Sequence, residues 1–287
     1  MAGTWNLRSS KPREIMNHKR PDVVDVLSVN VSRVTMSQTL SIVERMILGG
    51  GSHHVVTVNP EFIMTALGNA TFRDILNSAD LAIPDGMGIV LASRLLGKPI
   101  AERVTGVDLI EQFARVAAGK GFRFFLLGAA PGVAERAAEA LKHACSGLVI
   151  AGTYSGSPLP AEEEEICLRI RECSPDVLLV AFGSPKQDLW IARTRERLKV
   201  PVSIGVGGSL DYIAGVIDRA PTWMRNVGLE WFHRLVNQPE RWRRMLALPQ
   251  FAARVTVQRL GGARSGEGRS RVDRNPRRDP PLRKFAD

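Results

Sequence analysis

Six short apolar runs recur through the middle of the chain: HVVTV (54–58), LAIP (81–84), FRFFLL (122–127), LVIAG (148–152), DVLLVAF (176–182) and VSIGV (202–206). They are rich in β-branched and aromatic residues and lack the strict alternation of a half-wet strand, so each predicts a buried strand. Between them lie segments whose apolar residues recur at three and four: PEFIMTALGNATFRDIL (60–76), GIVLASRLLG (88–97), DLIEQFARVAAG (108–119), GVAERAAEALKHA (132–144), AEEEEICLRIREC (161–173) and KQDLWIARTRERL (186–198). That spacing predicts helices. Strands alternating with helices imply the α/β class, with a mainly parallel, Rossmann-like sheet covered on both faces. In such a sheet the ligand crevice lies beyond the carboxyl ends of the strands, so chemistry is to be sought in the loop after each strand.

The pattern fails at both ends. Residues 1–21 form a polar lead, and GGARSGEGRSRVDRNPRRDPPLRK (261–284) has the composition of a disordered tail. The chain therefore divides into that lead, an α/β domain over 22–218, a basic and aromatic C-terminal appendage over 219–260, and an Arg/Gly/Pro tail over 261–287.

Composition adds limits. At 287 residues and 44% hydrophobic content, one sizeable core is expected. Cys145, Cys167 and Cys173 form no CxxC pair, which predicts neither a zinc site nor a disulfide framework and fits reduced thiols in the cytoplasm. Nowhere do about 18 apolar residues run together, and the basic start is followed by no apolar segment, so neither a spanning helix nor a secretory signal is expected. The net charge of +10 is unevenly placed. Residues 219–260 hold eight arginines against Glu230 and Glu240, residues 261–287 hold eight basic side chains against four acidic ones, and everything before them is balanced. An anionic partner belongs to the C-terminal end.

The loops after the strands carry the candidate residues. TVNPEF places Thr57 and Asn59 ahead of Pro60; Asn before Pro makes an N-cap, and one side chain can both cap and touch a ligand. PDGMG sets Asp85 between a strand and two glycines, as a turn residue or as a carboxylate at the mouth of a site. RVTGVD adds Arg103, a solvated surface cation or a fork suited to phosphate or carboxylate. The turn beginning at Gly128 presents backbone N–H groups to a phosphate. It does not match GxGxxG, because Ala130 and Val133 stand at the later glycine positions, and GxxxxGK[ST] is absent, so a nucleotide diphosphate fits better than a nicotinamide cofactor. GSPKQDLW supplies Gln187, which donates and accepts and so suits sugar hydroxyls. GVGGSLD offers Gly207, for close backbone approach or for a tight turn alone, and Asp211. Singly these signals are weak, but all of them leave the same sheet edge. The five histidines show no ligand spacing, and His53 and His54 fall on opposite faces of one strand, so no catalytic metal and no cofactor are expected. No GxSxG elbow or Cys/His couple supports an acyl-enzyme.

TVNPEF, PDGMGIV, RVTGVDL, FLLGAAPGVAERAAEAL, AFGSPKQDLWI, GVGGSLDYIAG and RAPTWMRNVGLEWFHRL, in that order, closely resemble the bacterial WecG/TagA/CpsF glycosyltransferases over roughly residues 25–250. The resemblance implies an inverting, metal-independent transferase that moves a sugar from a UDP-sugar, of the N-acetylmannosamine, uronic acid or glucose type, to a polyprenyl-diphosphate-linked glycan in cell-surface polysaccharide synthesis. It implies Asp85 as general base, with Thr57 and Gln187 in the catalytic group and Asn59 and Arg103 on substrate. Asp188 stands where relatives often carry glutamate.

The appendage holds Trp223, Trp231 and Trp242 among its arginines. Helical spacing puts Trp223, Val227, Trp231 and Leu235 near one face and Arg234, Arg241 and Arg244 on a polar one. That is the makeup of a helix lying on an anionic membrane surface, the other reading being a helix packed on the core with its arginines solvated. The resemblance implies membrane attachment here and gives Arg234, Arg241 and Arg244 the task of completing the active site. It also implies work at the inner face of the cytoplasmic membrane, and an undocked apolar patch of this kind would suit contact with a second subunit. Two other classes remain open, a nucleotide-binding oxidoreductase and a protein binding nucleic acid through its basic tail. The first lacks its glycine fingerprint; the second has no need of the loop constellation, so no specific nucleic acid is expected.

Overall fold

The computed structural model describes residues 21–226, 228–237, 242 and 246–267. Strands β1 (Val23–Val26) and β2 (Val29–Ser32) form an antiparallel hairpin. The six expected strands follow as β3 (His53–Val58), β4 (Leu81–Pro84), β5 (Arg123–Gly128), β6 (Val149–Tyr154), β7 (Val177–Ala181) and β8 (Val202–Gly205). They make one sheet in the order β4-β3-β8-β7-β5-β6, with every neighbouring pair parallel, and this is the expected α/β architecture. Adjacent residues alternate between faces, as the pleat requires. Val55, Phe124 and Leu179 pack on one side with α1 (Met36–Gly49), α5 (Gly106–Lys120) and α6 (Val133–Ala144). On the other side Phe125, Leu178 and Val180 meet α7 (Pro160–Cys173) and α8 (Lys186–Leu198), while Val56 and Val58 meet the hairpin, α2 (Pro60–Gly68) and α3 (Ala70–Ser78).

Several elements depart from the sequence reading. The single helix expected over 60–76 is two, because the Asn69 side chain accepts from Phe72 N at 3.0 Å and starts a new helix. The hairpin turns on Leu27 and Ser28 at φ 53° and 68°, the doubly left-handed turn that matches strand twist, but without its usual glycine or asparagine. The loop after β4 leads into the expected α4 (Met87–Leu95), and β8 into the short α9 (Ser209–Ile213).

The C-terminal part also differs. Trp223 and Trp231 do not share one helix: α10 (Thr222–Asn226) and α11 (Glu230–Asn237) are separate. Gly228 stands between them at φ +78°, where a Cβ would lie 2.7 Å from Met87 Cγ. The closing helix α12 (Ala247–Glu267) continues past residue 260, and its first half is held by packing. Phe251 and Val255 are 4% and 1% exposed in the core shared by the hairpin and α2. Gln258 bolts α12 to the hairpin turn, accepting from Leu27 N at 3.0 Å and donating to Asp25 O at 3.1 Å. Among the described residues no helix is long and apolar enough to cross a membrane.

Candidate active site

The carboxyl ends of β3, β4, β7 and β8 open into one cleft of about 990 Å³, closed on its far side by α11 and α12. Thr57, at the end of β3, is buried and donates its hydroxyl to Gly205 O on β8 at 3.0 Å. Asn59 caps α2, its Oδ1 accepting from Phe62 N at 3.0 Å, a bond that does not use the amide NH2. Capping and lining the cleft are thus done by one side chain.

Asp85 is placed by the sheet itself. Its N–H continues the parallel ladder to Val58 O at 2.8 Å, and the chain then turns through Gly86 at φ +132°, a conformation strained for any residue with a Cβ. Gly88 lets the start of α4 press on Pro60, since a Cβ there would sit 2.7 Å from Pro60 Cγ. The two glycines therefore hold the Asp85 turn against the Asn59 cap, and both residues line the cleft. Val104 N donates to Pro84 O at 3.0 Å, which brings Arg103 to the same place.

Arg103 is engaged: its Nη1 donates to Glu230 Oε2 on α11 at 2.9 Å, in a half-buried pair. Glu230 also lies 3.8 Å from Arg219, whose Nη1 donates to Asp108 Oδ1 at 2.7 Å. Thr105 caps α5 and donates to Asp108 Oδ2 at 2.6 Å. Burial alone would raise the Asp108 carboxyl, but Arg219 and Thr105 outweigh it and hold it below the usual carboxylate range. Burial likewise opposes the charge on Arg219, and the Asp108 hydrogen bond outweighs it, so this guanidinium is pushed higher still. Arg103, Glu230, Arg219 and Asp108 form one alternating chain of charge from the sheet edge to the appendage.

Gln187 is fully buried, and its Oε1 accepts from Gly207 N at 2.9 Å, tying the loop after β7 to the loop after β8. Its Nε2 lacks a hydrogen-bond partner among the described residues. Beside it, Asp188 is buried against His54, with Oδ1 at 3.3 Å from the imidazole Nε2. His53 points the other way, toward Asp80. Gly205 makes this packing possible: a Cβ there would stand 2.5 Å from Asp188 Oδ1 and 2.6 Å from Gln187 Nε2.

Gly207 and Asp211 line the cleft from the β8 loop. Gly128 does not: it closes β5 against β7, where a Cβ would lie 2.9 Å from the Ala181 carbonyl carbon. Arg234 sits on α11, and Arg241 and Arg244 lie outside the described residues. Thr57, Asn59, Asp85, Arg103, Gln187, Gly207 and Asp211 are therefore gathered in one cleft. Sequence reasoning missed Glu230 and Arg219. Both lie in or beside a quoted motif, yet no local spacing ties Glu230 to an arginine 127 positions away. Among the described residues no three His, Cys, Asp or Glu side chains are gathered to hold a metal ion.

The model of the glycosyl transferase WecG/TagA/CpsF family matches residues 24–265. An N-acetylglucosaminyldiphosphoundecaprenol N-acetyl-beta-D-mannosaminyltransferase of Bacillus spizizenii is 37% identical over 201 residues, covering 70% of this chain and 77% of that protein. The protein of that name from Bacillus subtilis is 36% identical over 70% of this chain and 78% of its own. One from Staphylococcus aureus is 31% identical over 234 residues, 81% of this chain and 91% of its own.

Proposed function

The chain belongs to the WecG/TagA/CpsF family of glycosyl transferases, and on that premise we propose that it transfers N-acetylmannosamine from its UDP-sugar to an N-acetylglucosamine carried on a polyprenyl diphosphate. The observation that carries this reading is the position of Asp85, at the end of β4 and in one cleft with the Asn59 cap, Arg103 and the Gly207 loop. A sugar hydroxyl is a weak nucleophile until a carboxylate removes its proton. Asp85 accepts that proton as the hydroxyl oxygen bonds to the anomeric carbon, the bond to UDP breaks with its electron pair on the leaving phosphate, and the configuration inverts. General-base assistance of this kind contributes about 10²- to 10⁴-fold.

The leaving diphosphate gathers negative charge, which Arg103 and the appendage residues Arg234, Arg241 and Arg244 neutralise. Arg103 is free to do this only when the phosphate takes the place of Glu230. Thr57 and Gln187 hold the loops in register rather than reacting, the buried Gln187 amide doing so through its bond to Gly207 N. The exposed apolar side chains of α10 and α11, Trp223, Trp231, Phe232 and Val236, rest on the inner face of the cytoplasmic membrane, where the acceptor resides. The reading is tested by screening UDP-sugars against a short-chain lipid-diphosphate N-acetylglucosamine acceptor, with wild type and Asp85→Asn side by side. Transfer from UDP-N-acetylmannosamine that collapses in the variant is expected; equal rates in the two would remove Asp85 from the role of base.

A further inference from the structure

The cleft extends beyond what a nucleotide sugar calls for. Away from Asp85 it continues as a trough with α4 as one wall and α12 as the other. Leu91 and Leu95 lie one helical turn apart on α4, 56% and 46% exposed, and both line the trough. Facing them on α12 are Leu248, Ala252 and Val255, spaced so that they share a side of the helix, with Phe251 and Thr256 beside them. Every α4 and α12 side chain lining this end is uncharged, and Thr256 carries its one hydroxyl. From Met87 to Leu95 the wall runs about 12 Å at about 1.5 Å per residue.

We propose that this trough seats the first prenyl units of the lipid-linked acceptor, which makes it a binding site for the hydrocarbon end of an isoprenoid diphosphate. The inference rests on the transferase reading above and adds to it a place for the part of the acceptor that does not react. The occupant follows from continuity and from charge. The trough opens without a break into the polar end of the same cleft. At its inner end Met87 touches Gly228, next but one to Glu230, the carboxylate that Arg103 binds. At that inner end the apolar walls give way to Arg103 and Asp85, the cation and the carboxylate that the diphosphate and the sugar of a polyprenyl-linked glycan call for. A concave slot between two helices suits a chain, whereas a lipid surface needs a flat or convex face.

The test titrates farnesyl diphosphate and inorganic diphosphate into the full chain. Wild type is expected to bind farnesyl diphosphate at least tenfold more tightly, about 1.4 kcal/mol. Leu91→Gln/Leu95→Gln changes two exposed side chains, so the fold should survive, as the melting temperature will show. It should abolish the preference while leaving inorganic diphosphate binding as it was. Ala252→Trp, which fills the trough from the other wall, should do the same. A wild type without preference, or variants that keep it, would overturn the proposal. So would a double variant that loses self-association or vesicle binding with its farnesyl preference intact, since the trough would then be covered by a second copy or by lipid. Transfer to a prenyl-linked acceptor without any farnesyl preference sinks the trough alone. A preference that obeys the variants, with no transfer from any UDP-sugar, upholds the trough and sinks the transferase reading.

Discussion

Thr57 reaches the cleft from a strand buried along its length and Gln187 from the buried side of α8, whereas Glu230 and Trp231 reach it from a helix whose outer face is wet. The first wall is set by parallel register: Thr57 pairs with Ile83 on one side, its hydroxyl bonds Gly205 on the other, and Asp85 extends the same ladder. The second wall is set by a handful of side chains, the Arg103–Glu230 pair, the Gly228–Met87 contact and the Phe251–Val255 plug. A wall made of ladder hydrogen bonds opens only when the sheet does. A wall made of one ion pair, one glycine contact and one plug is free to shift while the sheet stays intact.

The contrast breaks most sharply at Asp85. Asp85→Asn should lower turnover by about 10²- to 10⁴-fold with an unchanged melting temperature, because the backbone N–H of this residue makes the ladder bond either way. A large fall in stability would mean that the side chain belongs to the frame. On the other wall, Phe251→Ala should cost about 3–5 kcal/mol of local stability. Hydrogen exchange should show residues 247–267 losing protection while β3 and β8 keep theirs. Loss spread evenly over the sheet would make the two walls one cooperative unit.

Gly205→Ala tests the rigid wall from beneath. The added methyl meets Asp188 and Gln187 at overlapping distance, so about 1–3 kcal/mol of global stability should go, read from denaturant unfolding. Asp108→Asn removes the carboxylate from a half-buried Arg219 and should cost about 1–2 kcal/mol at neutral pH. Because the folded Asp108 carboxyl is depressed, its contribution is present above the ordinary carboxylate range and vanishes as pH falls through its lowered value. Wild type and variant should therefore converge in acid; a gap that widened there would contradict the assignment. The smallest effect is expected from Glu230→Gln, which releases Arg103 from an internal competitor. UDP should bind up to about fivefold more tightly, within about 1 kcal/mol. Weaker binding would show that the pair braces the wall rather than competing with phosphate.

The rigid wall was legible in the sequence and the movable one was not, for physical reasons that differ by element. Five strands buried on both faces, and the half-exposed edge strand β6, announce themselves as unbroken apolar runs, and a parallel sheet then fixes where their loops emerge. Gln187 was recognisable as a residue of the cleft, but its bond to the Gly207 N–H depends on two loops meeting in space. The hairpin was hidden because its turn uses leucine and serine at positive φ instead of the expected glycine. The start of α1 carries a local signal in the sequence, the reciprocal capping box of Thr35 and Gln38. Glu230 was out of reach, since its partner is known only once the appendage is folded onto the sheet.

The bond between Leu27 and Gln258 spans 231 positions of the chain. During synthesis the hairpin is available almost from the outset, yet the helix it clasps leaves the ribosome only after the whole sheet has been made. Contacts of such separation form late, because the loop they close must first be ordered. Until then the apolar side of the hairpin and the top of α2 have no cover, which makes this patch the natural target of chaperones on the growing polypeptide. A chain whose translation stalls before residue 247 would thus carry a finished sheet with that apolar flank uncovered.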